Sequence, residues 1–233
     1  MTLHAYIESL REKKVAVIGI GVSNTPLLET LAAEGIRVTA CDKRTREQMG
    51  DQAEKLEALG CVLQLGEGYL KGLDADVIFR TPGLRPDVPE IAECVKKGAV
   101  LTSEMEVFFQ VCPCPIIAVT GSDGKTTTTT IIAELLRKAG KRVWIGGNIG
   151  HPLLCEVDGM LETDYAVLEL SSFQLMTMTR SPHIAVVTNL APNHLDMHRD
   201  MAEYVAAKEN IFRHQGREDI AVFNADNAIT AEQ

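Results

Sequence analysis

The sequence predicts an α/β protein of two successive domains, each built around a parallel β-sheet. Short apolar runs alternate with helical patterns along both halves of the chain, as they do in β-α-β units. A Cys-Pro-Cys-Pro run at residues 112–115 separates two such series, because proline cannot continue the helix predicted at 103–110. The second series opens on a glycine loop between a strand and a helix. We therefore expect one domain at 1–110 and another at 111–233.

The first domain shows the strand and helix order of a doubly wound sheet, in which helices connect parallel strands. The predicted strands are 15–20, 37–41, 61–65 and 76–80, and the predicted helices are 25–34, 44–59 and 86–97. Gly35, Gly60 and Gly98 directly follow these helices, and glycine at that position is typical of helix C-termini.

The second domain repeats the alternation. Its predicted strands are 116–120, 142–145, 165–170, 184–189 and 220–224, and its predicted helices are 125–139 and 201–214. The threonine run 126–130 is β-branched, but it follows a glycine loop where a helix must start, so we place it in the first turn of that helix. The chain stops at Gln233 soon after the last strand, and we therefore expect the second domain to be incomplete.

Composition excludes several classes of protein. The net charge of −9 disfavours nucleic-acid binding, which needs a basic face. The N-terminus lacks the regions of a signal peptide, and no apolar run approaches the roughly 20 residues of a membrane-spanning helix. The six cysteines form no Cys-x-x-Cys pair and no zinc-like cluster, so we expect reduced thiols in a cytoplasmic protein without membrane insertion.

The strongest chemical signal is the glycine loop that follows strand 116–120. Glycines let backbone N–H groups converge on phosphate oxygens, and the helix N-terminus adds partial positive charge. Lys125 is placed to reach the β- and γ-phosphates of a nucleotide, and the Thr126 hydroxyl to bind Mg²⁺. A plain glycine turn is the alternative, which the Lys-Thr pair disfavours. The expected ATP-binding residues are Gly121, Ser122, Asp123, Gly124, Lys125, Thr126 and Thr127.

The loop is shorter than the common phosphate loop, because only two residues separate Gly121 from Gly124. This spacing resembles that of Mur ligases and folylpolyglutamate synthases, whose pattern is Thr-Gly-(Ser/Thr)-Asn-Gly-Lys-(Ser/Thr)-(Ser/Thr); Asp123 stands here in the asparagine position. Three further segments, 146–150, 168–175 and 189–198, match Mur ligases in order, each at the carboxyl end of a predicted strand. The Ser-Ser-Phe-Gln run within the second of them is typical of the family member that adds D-glutamate.

The resemblance implies metal-binding roles for residues that patterns alone would leave on the surface. Glu169 would hold one Mg²⁺ together with Thr126, since hard oxygen ligands suit this ion. His194 would lie near a second Mg²⁺, and it follows Asn193 where the family usually has aspartate. Lys208, once carbamylated, would become an oxygen anion that helps to position the second Mg²⁺. The catalytic residues implied are Lys125, His194 and Lys208.

The first domain carries a weak dinucleotide-binding pattern at 19–24, with Asn24 in place of the third glycine. Asp42 follows the second strand, as an acid that binds NAD ribose would, so an NAD(P)-binding oxidoreductase is one interpretation. The resemblance implies instead a Rossmann-like domain that binds the UDP part of the substrate.

That resemblance also implies a set of substrate-binding residues. They are Gly21, Val22 and Ser23 at the diphosphate, Asp42, Lys43 and Arg44 near uracil, Gly83 in the Thr-Pro-Gly run 81–83, and Asn148 and Ser171 in the second domain. An exposed basic face is the alternative for Lys43 and Arg44.

The resemblance covers essentially the whole chain and implies an ATP-dependent ligase of peptidoglycan precursor synthesis. Its substrates would be UDP-N-acetylmuramoyl-L-alanine and D-glutamate, its cofactors ATP and Mg²⁺, and the reaction would pass through an acyl phosphate. Mur ligases also have a C-terminal domain, which we expect this chain to lack. The alternative is therefore a nucleotide-binding fragment without activity, and we expect negligible ligation by these residues alone. We expect the full-length protein to be monomeric.

Overall fold

The computed structural model describes residues 1–192 and 197–231 of the chain. The chain divides into two compact units, Met1–Val107 and Phe108–Gln233, and each contains a five-stranded parallel sheet. This confirms the predicted fold class of two successive parallel-sheet α/β domains. The division falls within the helix Glu104–Val111. Among the described residues, no helix is both long enough and apolar enough to cross a membrane.

The sheet of the first unit has the strand order β3-β2-β1-β4-β5, and every pair of neighbours is parallel. Its strands are β1 (Val15–Ile18), β2 (Val38–Asp42), β3 (Val62–Leu65), β4 (Val77–Arg80) and β5 (Val100–Thr102). The strands β1 and β4 are adjacent, and all their residues are buried. Parallel strands covered on both faces need such nearly continuous apolar runs, which is why the sequence marks both clearly.

The helices of the first unit follow the prediction in part, and the first of them was not predicted. They are α1 (Leu3–Glu8), α2 (Asn24–Ala33), α3 (Arg46–Met49), α4 (Asp51–Ala58), α5 (Pro89–Lys96) and α6 (Glu104–Val111), the last of which crosses the division. The single helix predicted at 44–59 is wrong, because α3 and α4 are separate. Thr45 caps α3 in a capping box with Gln48, and Gly50 then leaves the helical conformation at φ 50°.

The edge strand β5 is absent from the predicted elements. It pairs with β4, but it has only three residues, of which only Thr102 is buried, so it carries no apolar pattern. The neighbouring helix α5 begins three residues later than expected. Val88 keeps an extended backbone before Pro89, which occupies the first turn, because proline disfavours the helical conformation of the residue that precedes it.

The sheet of the second unit has the order β10-β9-β6-β8-β7, again parallel throughout. Its strands are β6 (Ile116–Thr120), β7 (Val143–Gly147), β8 (Tyr165–Glu169), β9 (Ile184–Val187) and β10 (Ile220–Phe223). The central strand β6 has the predicted bounds and is completely buried. Because it lies between β8 and β9, the loops after these strands meet at one edge of the sheet.

The remaining helices surround this second sheet. They are α7 (Lys125–Lys138), α8 (Ser172–Leu175), α9 (Met201–Arg213) and α10 (Ala228–Ala231), with a 3₁₀ helix at Leu154–Gly159. The threonine run 126–130 lies in the first part of α7, as predicted. The short helix α8 was not predicted; Ser171 caps it in a capping box with Gln174.

Gly147, the last residue of β7, approaches the neighbouring strand too closely for a side chain. Its φ is 92°, and an added Cβ would lie 2.1 Å from the carbonyl oxygen of Glu169, whereas Gly140 has a φ of 76° with nothing within 4 Å of the Cβ position. We expect Gly140→Ala to cost about 1–2 kcal/mol of unfolding free energy from the left-handed backbone alone. Gly147→Ala should cost roughly 3 kcal/mol or more, because the backbone must also shift.

Urea unfolding followed by the fluorescence of Trp144 measures this difference. Trp144 is the one tryptophan of the chain and lies in β7 itself, so the signal reports the second unit. Equal losses for the two variants would show that the close approach of Gly147 to β8 carries no steric cost.

Candidate active site

The glycine loop that joins β6 to α7 is held against the segment that follows β9. Gly121 has a φ of 150°, and a Cβ there would lie 2.0 Å from the hydroxyl oxygen of Thr188. The backbone N–H of Ser122 donates to the carbonyl of Asn189 at 2.9 Å, and that of Asp123 donates to the side-chain oxygen of the same residue at 2.9 Å. The loop is therefore fixed by contacts with Thr188 and Asn189, and only glycine fits its first position.

Lys125 begins α7 and folds its side chain back over the loop. Its Nζ donates to the carbonyls of Gly121 at 3.0 Å and Ser122 at 2.9 Å. Gly124 precedes it in the left-handed conformation, at φ 78°. A lysine ammonium and a helix N-terminus thus converge on one glycine loop, and this combination of charge and dipole favours an anion such as phosphate.

The carboxylate of Glu169 lies at the carboxyl end of β8 and is only 2% exposed. Its Oε2 accepts a hydrogen bond from the Thr126 hydroxyl at 2.6 Å, and its Oε1 accepts one from the Asn148 amide at 2.8 Å. The backbone N–H of Asn148 also donates to the Glu169 carbonyl, at 2.7 Å. A carboxylate beside a hydroxyl is a hard oxygen donor set of the kind that binds Mg²⁺, so these residues fit the predicted metal role.

Lys208 on α9 lies at the base of the same loop and is 3% exposed. Its Nζ donates to the Thr120 hydroxyl at 3.1 Å and to the Gly121 carbonyl at 2.9 Å. Burial lowers the pKa of Lys208 to about 7, with a further decrease from Lys125 and an opposing increase from Glu169. A large fraction of this amine is therefore neutral near pH 7, the form that can react with CO₂ to give a carbamate.

A cavity of about 180 Å³ opens beside these groups. Its lining includes Gly121, Lys125, Asn148, Ser171, Phe173 and Lys208. Two ammonium groups therefore line the cavity together with an amide and a hydroxyl group. Such a lining suits an anionic ligand. The structure thus brings together most of the predicted residues of the second domain.

Two other predicted residues, Asp123 and Thr127, are exposed and are not among the described residues that line this cavity. His194, for which we predicted a metal-binding and catalytic role, and its neighbour Asn193 lie outside the described residues.

Reasoning from the sequence did not select Tyr204 or His198 as functional residues. Tyr204 is 1% exposed, and its hydroxyl lies 2.9 Å from the Ser122 hydroxyl oxygen in the glycine loop. His198 lies at the end of the matched segment 189–198, but a loop histidine is too common to stand out. Both residues act through contacts between elements far apart in sequence, which no local pattern reveals.

The first unit has a separate cavity of about 260 Å³ at the carboxyl ends of β1, β2 and β4. Its lining includes Gly19, Asp42, Lys43, Tyr69, Thr81 and Gly83. Of the predicted substrate-binding residues, Asp42, Lys43 and Gly83 therefore share one cavity. The other predicted residues of this group, Gly21, Val22 and Ser23, lie at or just before the start of α2. They are not among the described residues that line the cavity, and Val22 is 78% exposed.

Arg44 does not face this cavity as a free cation, because its guanidinium is bound to Asp42. Its Nε and Nη2 donate to the Asp42 carboxylate at 3.0 Å each, and its Nη2 also donates to the Ile20 carbonyl at 2.5 Å. Burial alone would raise the pKa of Asp42, but hydrogen bonds from Arg44 and from the Ile20 N–H outweigh it and lower the pKa. Asp42 is thus held as a carboxylate at the end of β2.

Arg80 supports the opposite wall of the cavity, and its role was not predicted. Its side chain is buried at the end of β4, and burial lowers its pKa to about 10. The Nη1 atom donates to the carbonyls of Thr81 at 3.1 Å, Pro82 at 3.0 Å and Leu84. Arg80 therefore fixes the backbone of the Thr-Pro-Gly run through its carbonyl groups.

Comparison with protein families assigns both units. Residues 13–103 match the N-terminal domain of MurD-like Mur ligases, and residues 119–233 match the Mur ligase middle domain. The chain belongs to the Mur ligase family. The glycine loop and Glu169 lie within the middle-domain match, and the cavity at Asp42 lies within the N-terminal match.

Curated relatives share much of the sequence of this Mur ligase chain. It is 53% identical over 231 residues to a UDP-N-acetylmuramoylalanine–D-glutamate ligase of Acetivibrio thermocellus. The aligned region covers 99% of this chain and 50% of the relative. The ligase of the same name from Ruminiclostridium cellulolyticum is 53% identical over 229 residues, 98% of the chain and 49% of the relative. The chain thus spans about half the length of these relatives.

A solved structure resembles the chain in fold. It is the UDP-N-acetylmuramate:L-alanyl-γ-D-glutamyl-meso-diaminopimelate ligase of Neisseria meningitides, with a TM-score of 0.57 and 21% identity over 94% of this chain and 74% of that one. At this identity, the likeness supports the α/β fold alone.

Lys208 should make the stability of the second unit depend on pH. Its pKa is lowered to about 7 in the folded chain, and that of an unfolded lysine is about 10.4, so the unfolded state binds more protons between these values. Stability should therefore rise with pH from about 7 to 10, by up to about 1.4 kcal/mol per pH unit, and stay flat below pH 7. Lys208→Met should remove this contribution.

The measurement is urea unfolding at several pH values without metal ions and in CO₂-free buffer, again followed by Trp144. Lys138→Met, at the exposed end of α7, serves as the control and should retain the pH dependence of the unsubstituted chain. An identical pH dependence in Lys208→Met would mean that the buried amine is not titrating in this range.

Proposed function

We propose that this Mur ligase chain carries the ATP site and the UDP-substrate site of a ligase that adds D-glutamate to UDP-N-acetylmuramoyl-L-alanine. The observation that carries the proposal is the phosphate loop with Lys125 above it and the hydrogen-bonded group of Thr126, Glu169 and Asn148 beside it. The choice of amino acid is supported by the names of the curated relatives, which are 53% identical to this chain.

The proposed reaction has two steps. The carboxylate of the UDP-substrate attacks the γ-phosphorus of ATP, the bond to the β,γ-bridging oxygen breaks, and an acyl phosphate and ADP result. The amine of D-glutamate then attacks the acyl carbon, the C–O bond to phosphate breaks, and an amide, inorganic phosphate and a proton result. Neither step needs a covalent bond to the protein, so its contribution is positioning and charge neutralisation.

The residues of the second unit have distinct parts in this proposal. Lys125 and the backbone N–H groups at the start of α7 neutralise and orient the β- and γ-phosphates. Thr126 and Glu169 would hold Mg²⁺, which would supply positive charge to the phosphate oxygens. Lys208 is the site of carbamylation, and His194 remains the proposed partner of a second Mg²⁺. Asn148 and Ser171 are proposed to contact the substrate.

The first unit is proposed to bind the UDP group. The cavity at Asp42 is lined by the fixed Asp42 carboxylate, the exposed Lys43 and the rigid Thr-Pro-Gly run, which together suit a polar heterocycle. Gly21, Val22 and Ser23 stand at the N-terminus of α2, where backbone N–H groups and the helix dipole favour a diphosphate. Lys43 adds a cation that is not bound to Asp42.

We also propose a cytoplasmic location and a monomeric full-length protein. The six cysteines all lie in the described part of the chain and none forms a disulfide, which suits a reducing compartment.

Replacement of Lys125 should separate nucleotide binding from folding. Lys125→Ala should weaken Mg-ATP binding roughly 10- to 150-fold, because a charge-assisted bond to phosphate contributes about 1.5–3 kcal/mol. Its side chain contacts loop carbonyls rather than the core, so the urea midpoint should change little. Calorimetric titration with Mg-ATP, with Lys138→Ala at the other end of α7 as the control, measures the effect. Unchanged affinity in Lys125→Ala would refute the assignment of the loop.

The ligand of the first unit distinguishes a UDP-substrate from a dinucleotide. We expect the chain to bind UDP-N-acetylmuramoyl-L-alanine and not NADH, since Asn24 stands at the third position of the dinucleotide pattern and its side chain donates to the Ile18 and Gly19 carbonyls. Titration with each ligand, with UDP-N-acetylglucosamine as a control for the nucleotide part, tests this. NADH binding at micromolar concentration without binding of the UDP-sugars would support an oxidoreductase instead.

A further inference from the structure

His198 lies just before α9 and is buried, with its side chain 0% exposed. An imidazole removed from water needs polar partners, since an unsatisfied buried polar group is destabilising. The Nε2 atom of His198 lies 2.8 Å from the Ser172 hydroxyl oxygen, a hydrogen-bond distance. This contact connects residues 26 positions apart.

The same imidazole packs against the cavity wall. It stacks on the ring of Phe173, with centroids 5.1 Å apart and an angle of 8° between the planes. Ser172 and Phe173 begin α8, and both line the cavity beside Lys125. One hydrogen bond and one stacked ring therefore fix two adjacent side chains of that wall.

His198 is also connected to the phosphate loop, through Tyr204. Its ring meets Tyr204 edge to face, with centroids 5.3 Å apart and an angle of 78°. The Tyr204 hydroxyl lies 2.9 Å from that of Ser122, the second residue of the loop. The Ser122 hydroxyl is fixed further by the backbone of Ala191, to whose carbonyl it donates at 2.8 Å.

These contacts form one continuous chain, which we call the histidine bridge: Ser172 and Phe173, then His198, then Tyr204, then Ser122. All its side chains except Phe173 are buried. A packed chain of this kind cannot adjust at one end without displacing the other, because protein interiors are densely filled. The phosphate loop and the cavity wall are therefore not independent surfaces.

We propose that His198 is a positioning residue that couples nucleotide binding at the phosphate loop to binding of the acceptor carboxylate at the wall of Ser172 and Phe173. The proposal rests on the function proposed above, which requires the acceptor carboxylate to meet the γ-phosphate at this loop. A nucleotide that orders Ser122 holds Tyr204 and His198, and through them orients the Ser172 hydroxyl and the Phe173 ring. The acceptor substrate then binds to a wall that is already ordered.

The test measures coupling rather than affinity alone. The dissociation constant of UDP-N-acetylmuramoyl-L-alanine for this chain is determined by calorimetry without nucleotide and with saturating Mg²⁺ and a non-hydrolysable ATP analogue. We expect the nucleotide to tighten substrate binding at least roughly 5-fold in the unsubstituted chain, the lower end of typical coupling. A residue with a merely structural role would change both dissociation constants and leave their ratio intact.

Two substitutions each delete one hydrogen bond of the histidine bridge and keep an aromatic ring in its place. His198→Phe keeps a ring against Phe173 and Tyr204 but deletes the hydrogen bond to Ser172, and Tyr204→Phe deletes the hydrogen bond to Ser122. Each should reduce the ratio to below about 2-fold, and the double variant should be no worse than either, since both interrupt one chain. His214→Phe, at the exposed end of α9, is the control and should keep the ratio of the unsubstituted chain.

The outcomes separate this inference from the function on which it rests. Binding of both ligands with the same ratio in His198→Phe as in the unsubstituted chain would overturn the coupling role alone, as would the absence of coupling in the unsubstituted chain. Failure of the unsubstituted chain to bind Mg-ATP would overturn the proposed function, and this inference with it. Trp144 fluorescence in urea confirms that each variant is folded under the conditions of titration.

Discussion

The carboxylate of Glu169 sets the main constraint on the second unit. An ionised carboxylate taken out of water is tolerated only where hydrogen-bond donors and positive charge surround it. Thr126 at the start of α7 and Asn148 after β7 supply the donors, and Lys208 on α9 lies close enough for the two charges to interact. Each partner comes from a different element, so satisfying one buried charge fixes the positions of two helices and two strands. The oxygen atoms that this arrangement holds together are also those that a divalent cation would bind.

The strand order explains why those elements meet. The chain leaves β6, places β7 and β8 on one side of it, and then places β9 and β10 on the other. Ligands of such sheets bind at the carboxyl ends of the strands where the order reverses, because loops diverge there and leave a crevice. Gly121 lies at that point, where Thr188 after β9 leaves no space for a side chain. The glycine is thus required twice, once for its backbone conformation and once for the close approach of the neighbouring loop.

The parts of this architecture that the sequence predicted are those encoded by local patterns. The buried strand β6 and the loop after it could be located because a central parallel strand is apolar throughout and a phosphate loop has few allowed residue types. The break between α3 and α4 could not be predicted, because it depends on the backbone conformation of Gly50. The strand β5 could not be predicted either, because its three residues are too few to show a periodic pattern. Arg80 and His198 were missed for a different reason. Their roles consist of hydrogen bonds between segments that only the fold brings together, and a single sequence does not record them.

Electrostatics explains how an acidic chain can present an anion site. The net charge is −9, yet the ammonium groups of Lys125 and Lys208 both donate to the carbonyl of Gly121. Burial disfavours the charged form of Lys208, and repulsion between the two cations adds to this, which is why the pKa of Lys208 falls. Carbamylation would remove that repulsion but would place a second anion beside Glu169. A buried pair of anions is stable only with a bound cation, so modification of Lys208 and metal binding must favour each other. On this argument, the lowered pKa of Lys208 and the carboxylate of Glu169 belong to one site, in which each charge is set by its neighbours.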